Sequence, residues 1–154
     1  MIDRSVAGRF AIVRAMFYGD LAERLTAGAV RGLADEGIEA DRIDVHDVPG
    51  AFELPLAAKA CAASGRYAAV ICLGTVVRGE TDHYDYVCAA AAQGIQQAQL
   101  DTGVACAFGV LTVRDREQAL ARSGGGKRDQ GYTSAQTAVA MAQLLDRLDR
   151  SLDE

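Results

Sequence analysis

The chain has 154 residues, enough to bury one core without disulfide or metal staples. Half of them are hydrophobic and 24% are charged, the balance of an ordinary globular protein. The net charge of -5 offers no basic face for a phosphate backbone, which excludes a nucleic-acid partner. No apolar stretch is long enough to span a bilayer, so no membrane partner is expected. The opening "MIDRSVAGRF" lacks the apolar core of a signal peptide, and a cytoplasmic location is expected. Cys61, Cys72, Cys88 and Cys106 form no C-x-x-C pair; Cys72 and Cys106 sit in apolar runs, where a free thiol packs as a small hydrophobe. His46 and His83 have no Cys or His at ligand spacing, so neither a metal nor a metal-borne cofactor is expected.

The elements alternate along the chain. "RFAIVRAMF" (9–17) reads as a strand. In 20–37, Leu21, Leu25, Ala29 and Leu33 recur every four residues and predict a helix that Gly37 stops. In 41–48, Ile43 and Val45 alternate with charged neighbours, as in a half-buried strand. "ELPLAAKACAASG" (53–65) predicts a short helix with Pro55 in its first turn and Gly65 at its end. The run 67–77 is apolar throughout, as a central strand covered on both faces would be.

A second long helix is predicted over 83–103, with Tyr84, Val87, Cys88, Ala91, Ile95 and Ala98 on one face. Its many alanines would let another helix approach closely. The run 104–112 is the last strand, and Thr112 with Asp115 resembles a capping box before "REQALARSG". "GGGKRDQG" (124–131) is a glycine-rich basic loop. The final helix is expected over roughly 133–150, with Ala138, Met141, Ala142 and Leu145 on its apolar side.

This order predicts one α/β domain over 1–154: three layers, helices on both faces of a mostly parallel, four-stranded, flavodoxin-like sheet. Ligands of such sheets bind outside the carboxyl ends of the strands. That directs attention to 17–18, 50–53, 74–83 and 108–112. Each has two readings. Phe17 stacks on a flat ring or belongs to the core. Glu53 accepts hydroxyls or complements the dipole of its own helix. Gly79, Glu80 and Thr81 lead into a helix start whose free N–H groups suit an anion, or they make only a turn. Arg78 serves that anion or pairs with a carboxylate. His83 is a proton carrier or a solvated first-turn residue. Lys127 and Arg128 embrace an anion or are simply solvated.

"VPGAFELP", "GTVVRGETDHYDYV", and "FGVLT" with "EQALARSG" stand in order between Phe10 and Leu145. In these motifs the chain strongly resembles the lumazine synthase family. The resemblance implies condensation of an amino-ribitylamino-pyrimidinedione with 3,4-dihydroxy-2-butanone 4-phosphate, without metal or organic cofactor. It implies that Phe17 stacks on the pyrimidine, that Ala51 and Glu53 hold the ribityl chain, and that the backbone of Thr75, Val76 and Val77 reads the pyrimidine edge. Gly79, Glu80 and Thr81 would cradle phosphate and His83 would transfer protons. Phe108 and Arg122 would be supplied by the neighbouring subunit of a homopentamer, Arg122 reaching the phosphate; some members close pentamers into icosahedral shells. Two positions depart from the family pattern: Tyr18 stands where Asn is frequent, and Gln130 stands where the family commonly has lysine. They leave room for a catalytically weak member that binds a flavin or lumazine, or builds a shell. A flavodoxin-like nucleotide binder is disfavoured, because "MFYGDL" after the first strand is no phosphate loop.

Overall fold

The computed structural model describes residues 7–125 and 127–152, with side chains through 149. The opening "MIDRSV" and Gly126 of the glycine-rich loop lie outside the described residues. Four strands, β1 (Arg9–Ala15), β2 (Ile43–Val48), β3 (Tyr67–Val77) and β4 (Ala105–Val113), form one sheet in the order β2-β1-β3-β4. All three strand pairs are parallel. The helices are α1 (Gly19–Asp35), α2 (Leu54–Ala63), α3 (His83–Thr102), the short α4 (Arg116–Ala121) and α5 (Gln130–Leu152). The three-layer α/β expectation therefore holds.

The central strands explain their own composition. Along β3, Ala69, Ile71 and Leu73 face α1 and α5, while Val70 and Cys72 face α2 and α3. Both faces are dry, so the run needs no polar alternation. Leu21, Leu25 and Leu33 of α1 are fully buried, each contributing about 1.5–3 kcal/mol of transfer free energy. Edge strand β2 is only half covered, but not in alternation as expected: Ile43 and Asp44 are partly buried while Val45 is exposed, because no helix covers that part of the edge. The small face of α3 receives α2 rather than a distant element, with Pro55 against Gly94.

Helix boundaries follow local chemistry. Gly37 and Gly65, at φ 85° and 77°, take the left-handed turn after α1 and α2, a conformation that costs a residue with a Cβ. Three more expectations need correction. Thr112 is an exposed residue of β4, not a cap; Asp115 caps α4 by accepting from Gln118 N–H at 2.8 Å, and the Gln118 side chain accepts from Arg114 N–H at 2.8 Å. α5 starts at Gln130, three residues early, because Asp129 accepts from Tyr132 N–H at 3.1 Å. Met141 is exposed; Ala135, Ala138, Val139 and Ala142 make the buried stripe of α5. That helix crosses α1 closely: a Cβ on Gly131 would collide with the Leu25 carbonyl.

Candidate active site

The strands are parallel, so their carboxyl ends share one edge. A cleft of about 520 Å³ opens there. β1 ends at Ala15, two residues before Phe17, and Met16 N–H adds one more rung to Val48 O at 2.9 Å. Phe17 is thereby carried off the ladder. It is 75% exposed and meets the Tyr18 ring edge-on, with centroids 4.9 Å apart. It is not a core phenylalanine.

Behind β2, a single 3-10 turn, Ala51–Glu53, brings Ala51 and Glu53 to the cleft wall. Glu53 occupies the N-cap position of α2 but makes no capping hydrogen bond, so its exposed carboxylate is not spent on the helix amides. From β3, Thr75, Val76 and Val77 line the floor. Thr75 is buried, and among the described residues its hydroxyl is the one buried side-chain oxygen or nitrogen without a protein partner. Leaving such a group unpaired costs about 1–3 kcal/mol.

The chain then turns through Gly79 and Thr81 into α3, and both line the cleft; Glu80 stands between them, exposed and outside the lining. His83 is the first residue of α3. Its backbone N–H donates to Thr81 Oγ1 at 3.3 Å, and its exposed imidazole hydrogen-bonds to no other described residue. Asp82 does not cap the helix with its side chain, so the amides of the first turn are not covered from that side. Arg78 is committed elsewhere: it lies 3.6 Å from Asp85 and 4.9 Å above the Tyr84 ring, an ion pair plus a cation–π contact. Burial pushes the Tyr84 hydroxyl above its ordinary pKa.

Besides Glu80, two residues named from the resemblance, and assigned by it to a neighbouring subunit's site, lie outside this cleft. Phe108 is not at a strand end: it pairs with Cys72 in mid-ladder, since β4 continues to Val113. Its ring borders a smaller groove of about 240 Å³, between α3 and α5 beside β4. Arg122 ends α4, its Nη1 donating to Gln118 O at 3.1 Å. Gln130 joins the two: its backbone N–H donates to Arg122 O at 2.8 Å, and its side chain makes a long 3.5 Å contact to Phe108 O. Lys127 and Arg128 are exposed.

Sequence reasoning missed Phe52 and Tyr86, both lining the cleft and 61% and 74% exposed. Signals existed: Phe52 stands between Ala51 and Glu53, and Tyr86 falls off the buried stripe of α3. A large exposed aromatic beside a cavity is a contact surface more often than an accident.

The amino edge of the sheet is built differently. Arg9 donates to both oxygens of Asp44, at 3.1 and 2.6 Å, and Tyr67 donates its hydroxyl to Asp44 at 2.8 Å. That uses the only proton of Tyr67, so His46 Nε2, 3.0 Å away, must donate to the phenol oxygen. Arg66 lies 3.8 Å from Asp44 and over the Tyr67 ring. The Arg9 guanidinium, then the Tyr67 hydroxyl, hold the Asp44 carboxyl well below the usual carboxylate range.

A parallel α/β sheet with an aromatic-rimmed cleft at its carboxyl edge defines a small-molecule-binding α/β protein. The family model for 6,7-dimethyl-8-ribityllumazine synthase matches residues 7–146. Similar proteins named 6,7-dimethyl-8-ribityllumazine synthase come from Salinibacter ruber, 45% identical over 92% of this chain and 90% of that protein, and from Syntrophus aciditrophicus, 47% identical over 91% of each. The chain belongs to the 6,7-dimethyl-8-ribityllumazine synthase family.

Proposed function

We propose that this chain is a transferase of riboflavin biosynthesis acting as a single domain. It condenses 5-amino-6-ribitylaminopyrimidinedione with 3,4-dihydroxy-2-butanone 4-phosphate to give 6,7-dimethyl-8-ribityllumazine. One water leaves as the amine and ketone form an imine, phosphate is eliminated, and a second water leaves as the ring closes. The observation that carries this reading is convergence. Phe17, Ala51, Glu53, Thr75, Val76, Val77, Gly79, Thr81 and His83 come from three strand ends and line one cleft.

In this reading Phe17 stacks on the pyrimidine and Glu53 accepts ribityl hydroxyls beside Ala51. The backbone of Thr75–Val77 reads the pyrimidine edge. The Gly79–Glu80–Thr81 turn presents amides and a hydroxyl to phosphate at a helix start, where the dipole favours an anion. His83 takes a proton from one atom and returns it to another as imine and ring form. The remaining work is orientation of two substrates, which the walls supply.

Neither Phe108, which borders the groove between α3 and α5, nor Arg122 at the end of α4 lines the cleft of its own chain. That supports a site shared between copies, in which one protomer's Phe108 and Arg122 complete its neighbour's cleft. We place it in a homopentamer, with a closed shell as the larger assembly, in the cytoplasm. Among the described residues no helix is long and apolar enough to cross a membrane.

The test is a turnover assay on the purified protein with both substrates. Fluorescent lumazine with one phosphate released per product is expected. Binding of lumazine without phosphate release would overturn the reading in favour of a catalytically weak binding or shell protein. Light scattering reports the assembly, and a monomer with full activity would refute the shared site.

A further inference from the structure

We propose that Arg24, on α1, is a positioning residue that sets where Arg122 is presented to the phosphate-bearing substrate. The inference rests on the reading of Arg122 as the phosphate contact. Its starting point is the weakness of the element that carries Arg122. α4 has only six residues, too few for a helix to hold its own end, and Arg122 is its C-terminal cap. The last carbonyls of such a helix need donors from elsewhere.

Arg24 supplies them from a distant part of the chain. Its Nη2 donates to Leu120 O at 3.2 Å and to Gly124 O at 2.6 Å, and its Nε donates to Ser123 Oγ at 2.9 Å. These acceptors flank Arg122 on both sides. Ser123 is 1% exposed, so the brace is anchored in the protein interior. Arg9, Arg14, Arg31 and Arg116 each meet a carboxylate; Arg24 spends its fork on three neutral acceptors of one turn, whereas Arg42 directs two donors to the single carbonyl of Gly8. A planar guanidinium with fixed donor directions suits that task, and a lysine ammonium does not.

The far side of the turn is fixed too. Gly124 N–H donates to Arg128 O at 3.1 Å and Gln130 N–H to Arg122 O at 2.8 Å, closing a small hairpin. Asp129 then accepts from Arg31 Nη2 at 2.5 Å. Among the described residues Arg122 itself makes one side-chain bond, to Gln118 O, which leaves most of its guanidinium donors for a ligand. A braced backbone with an uncommitted guanidinium is the arrangement that lowers the ordering cost of binding an anion.

The test is a double-mutant cycle on the assembled enzyme. Arg24→Met should raise KM for the phosphate-bearing substrate about tenfold, with KM for the pyrimidine unchanged. Inhibition by inorganic phosphate should weaken by the same factor. Arg24→Lys should recover part of the loss. In an Arg122→Ala background, Arg24→Met should add nothing further. Arg9→Met, which breaks the ion pair at the opposite edge, should lower stability and leave both KM values alone.

If Arg24→Met shifts neither KM nor phosphate inhibition, moves both KM values together, or adds fully to Arg122→Ala, the inference fails. If Arg122→Ala itself leaves the phosphate KM untouched, the Arg122 reading fails, and this inference with it. Should Arg24→Met not assemble, Arg24→Lys carries the same readouts, because it keeps the charge and loses the fork.

Discussion

At the amino edge of the sheet, Asp44 receives Arg9 and Tyr67, Tyr67 receives His46, and Arg66 closes over the ring. At the carboxyl edge, Glu53 caps nothing, the His83 imidazole hydrogen-bonds to no described residue, and Phe17 and Tyr86 stand mostly in the open. Both edges carry a carboxylate, a histidine and aromatics. One set is satisfied by its neighbours and the other is left wanting partners. Exposed groups find water, so the lack of a protein partner marks no site by itself; what sets the carboxyl edge apart is that its uncommitted groups converge on one cleft. In the proposed reading the substrates supply the partners there.

Substitutions at each edge can break that contrast. The largest effect is expected at His83. His83→Ala should lower kcat by about 10²-fold or more, in single-turnover measurements, and leave thermal stability nearly unchanged. Equal loss of stability and rate would make His83 a structural residue. Next, Arg122→Ala should weaken use of the phosphate-bearing substrate by roughly 1.5–3 kcal/mol in kcat/KM, with pyrimidine KM unaffected. Phe17→Ala follows, raising pyrimidine KM by the equivalent of about 0.5–1.5 kcal/mol of lost stacking. Steady-state titration of each substrate reads both.

The smallest catalytic effect, none, is expected at the amino edge. Asp44→Asn should leave kcat and both KM values unchanged and lower Tm at neutral pH. The acid dependence has a definite sign. The Asp44 carboxyl titrates lower in the fold than in the unfolded chain, where its pKa is about 3.9. Its stabilisation is therefore present above about pH 4 and drains away as pH falls below that. Asp44→Asn should flatten this acid limb of the Tm–pH curve, and an unchanged limb would deny the cluster its structural role.

Much of this was legible in the sequence. β3 was read residue for residue because both its faces are buried, so no polar position blurs its limits. The cleft residues were legible because a parallel sheet gathers strand ends. The early start of α5 was not, because glycines around Asp129 masked a cap that acts through a side-chain oxygen. Met141 was misplaced because an alanine-rich helix offers more than one plausible apolar stripe; only Val139 against the core decides between them. The resemblance, not strand-end reasoning, set Phe108 and Arg122 apart from their own cleft; strand-end reasoning put Phe108 at the carboxyl edge and did not name Arg122. Where the two stand depends on how far β4 runs and on where a six-residue helix stops.

The face of the sheet opened by α1 is closed by α5, the last of the described helices, with Gly131 seated on Leu25. Strand β1 pairs first with β2, Phe10 beside Ile43, and its other edge waits for β3, where Phe10 finds Ala69. Until α5 emerges from the ribosome, the apolar face that it covers stays open. Such delayed closure makes the nascent chain a natural client for holding chaperones.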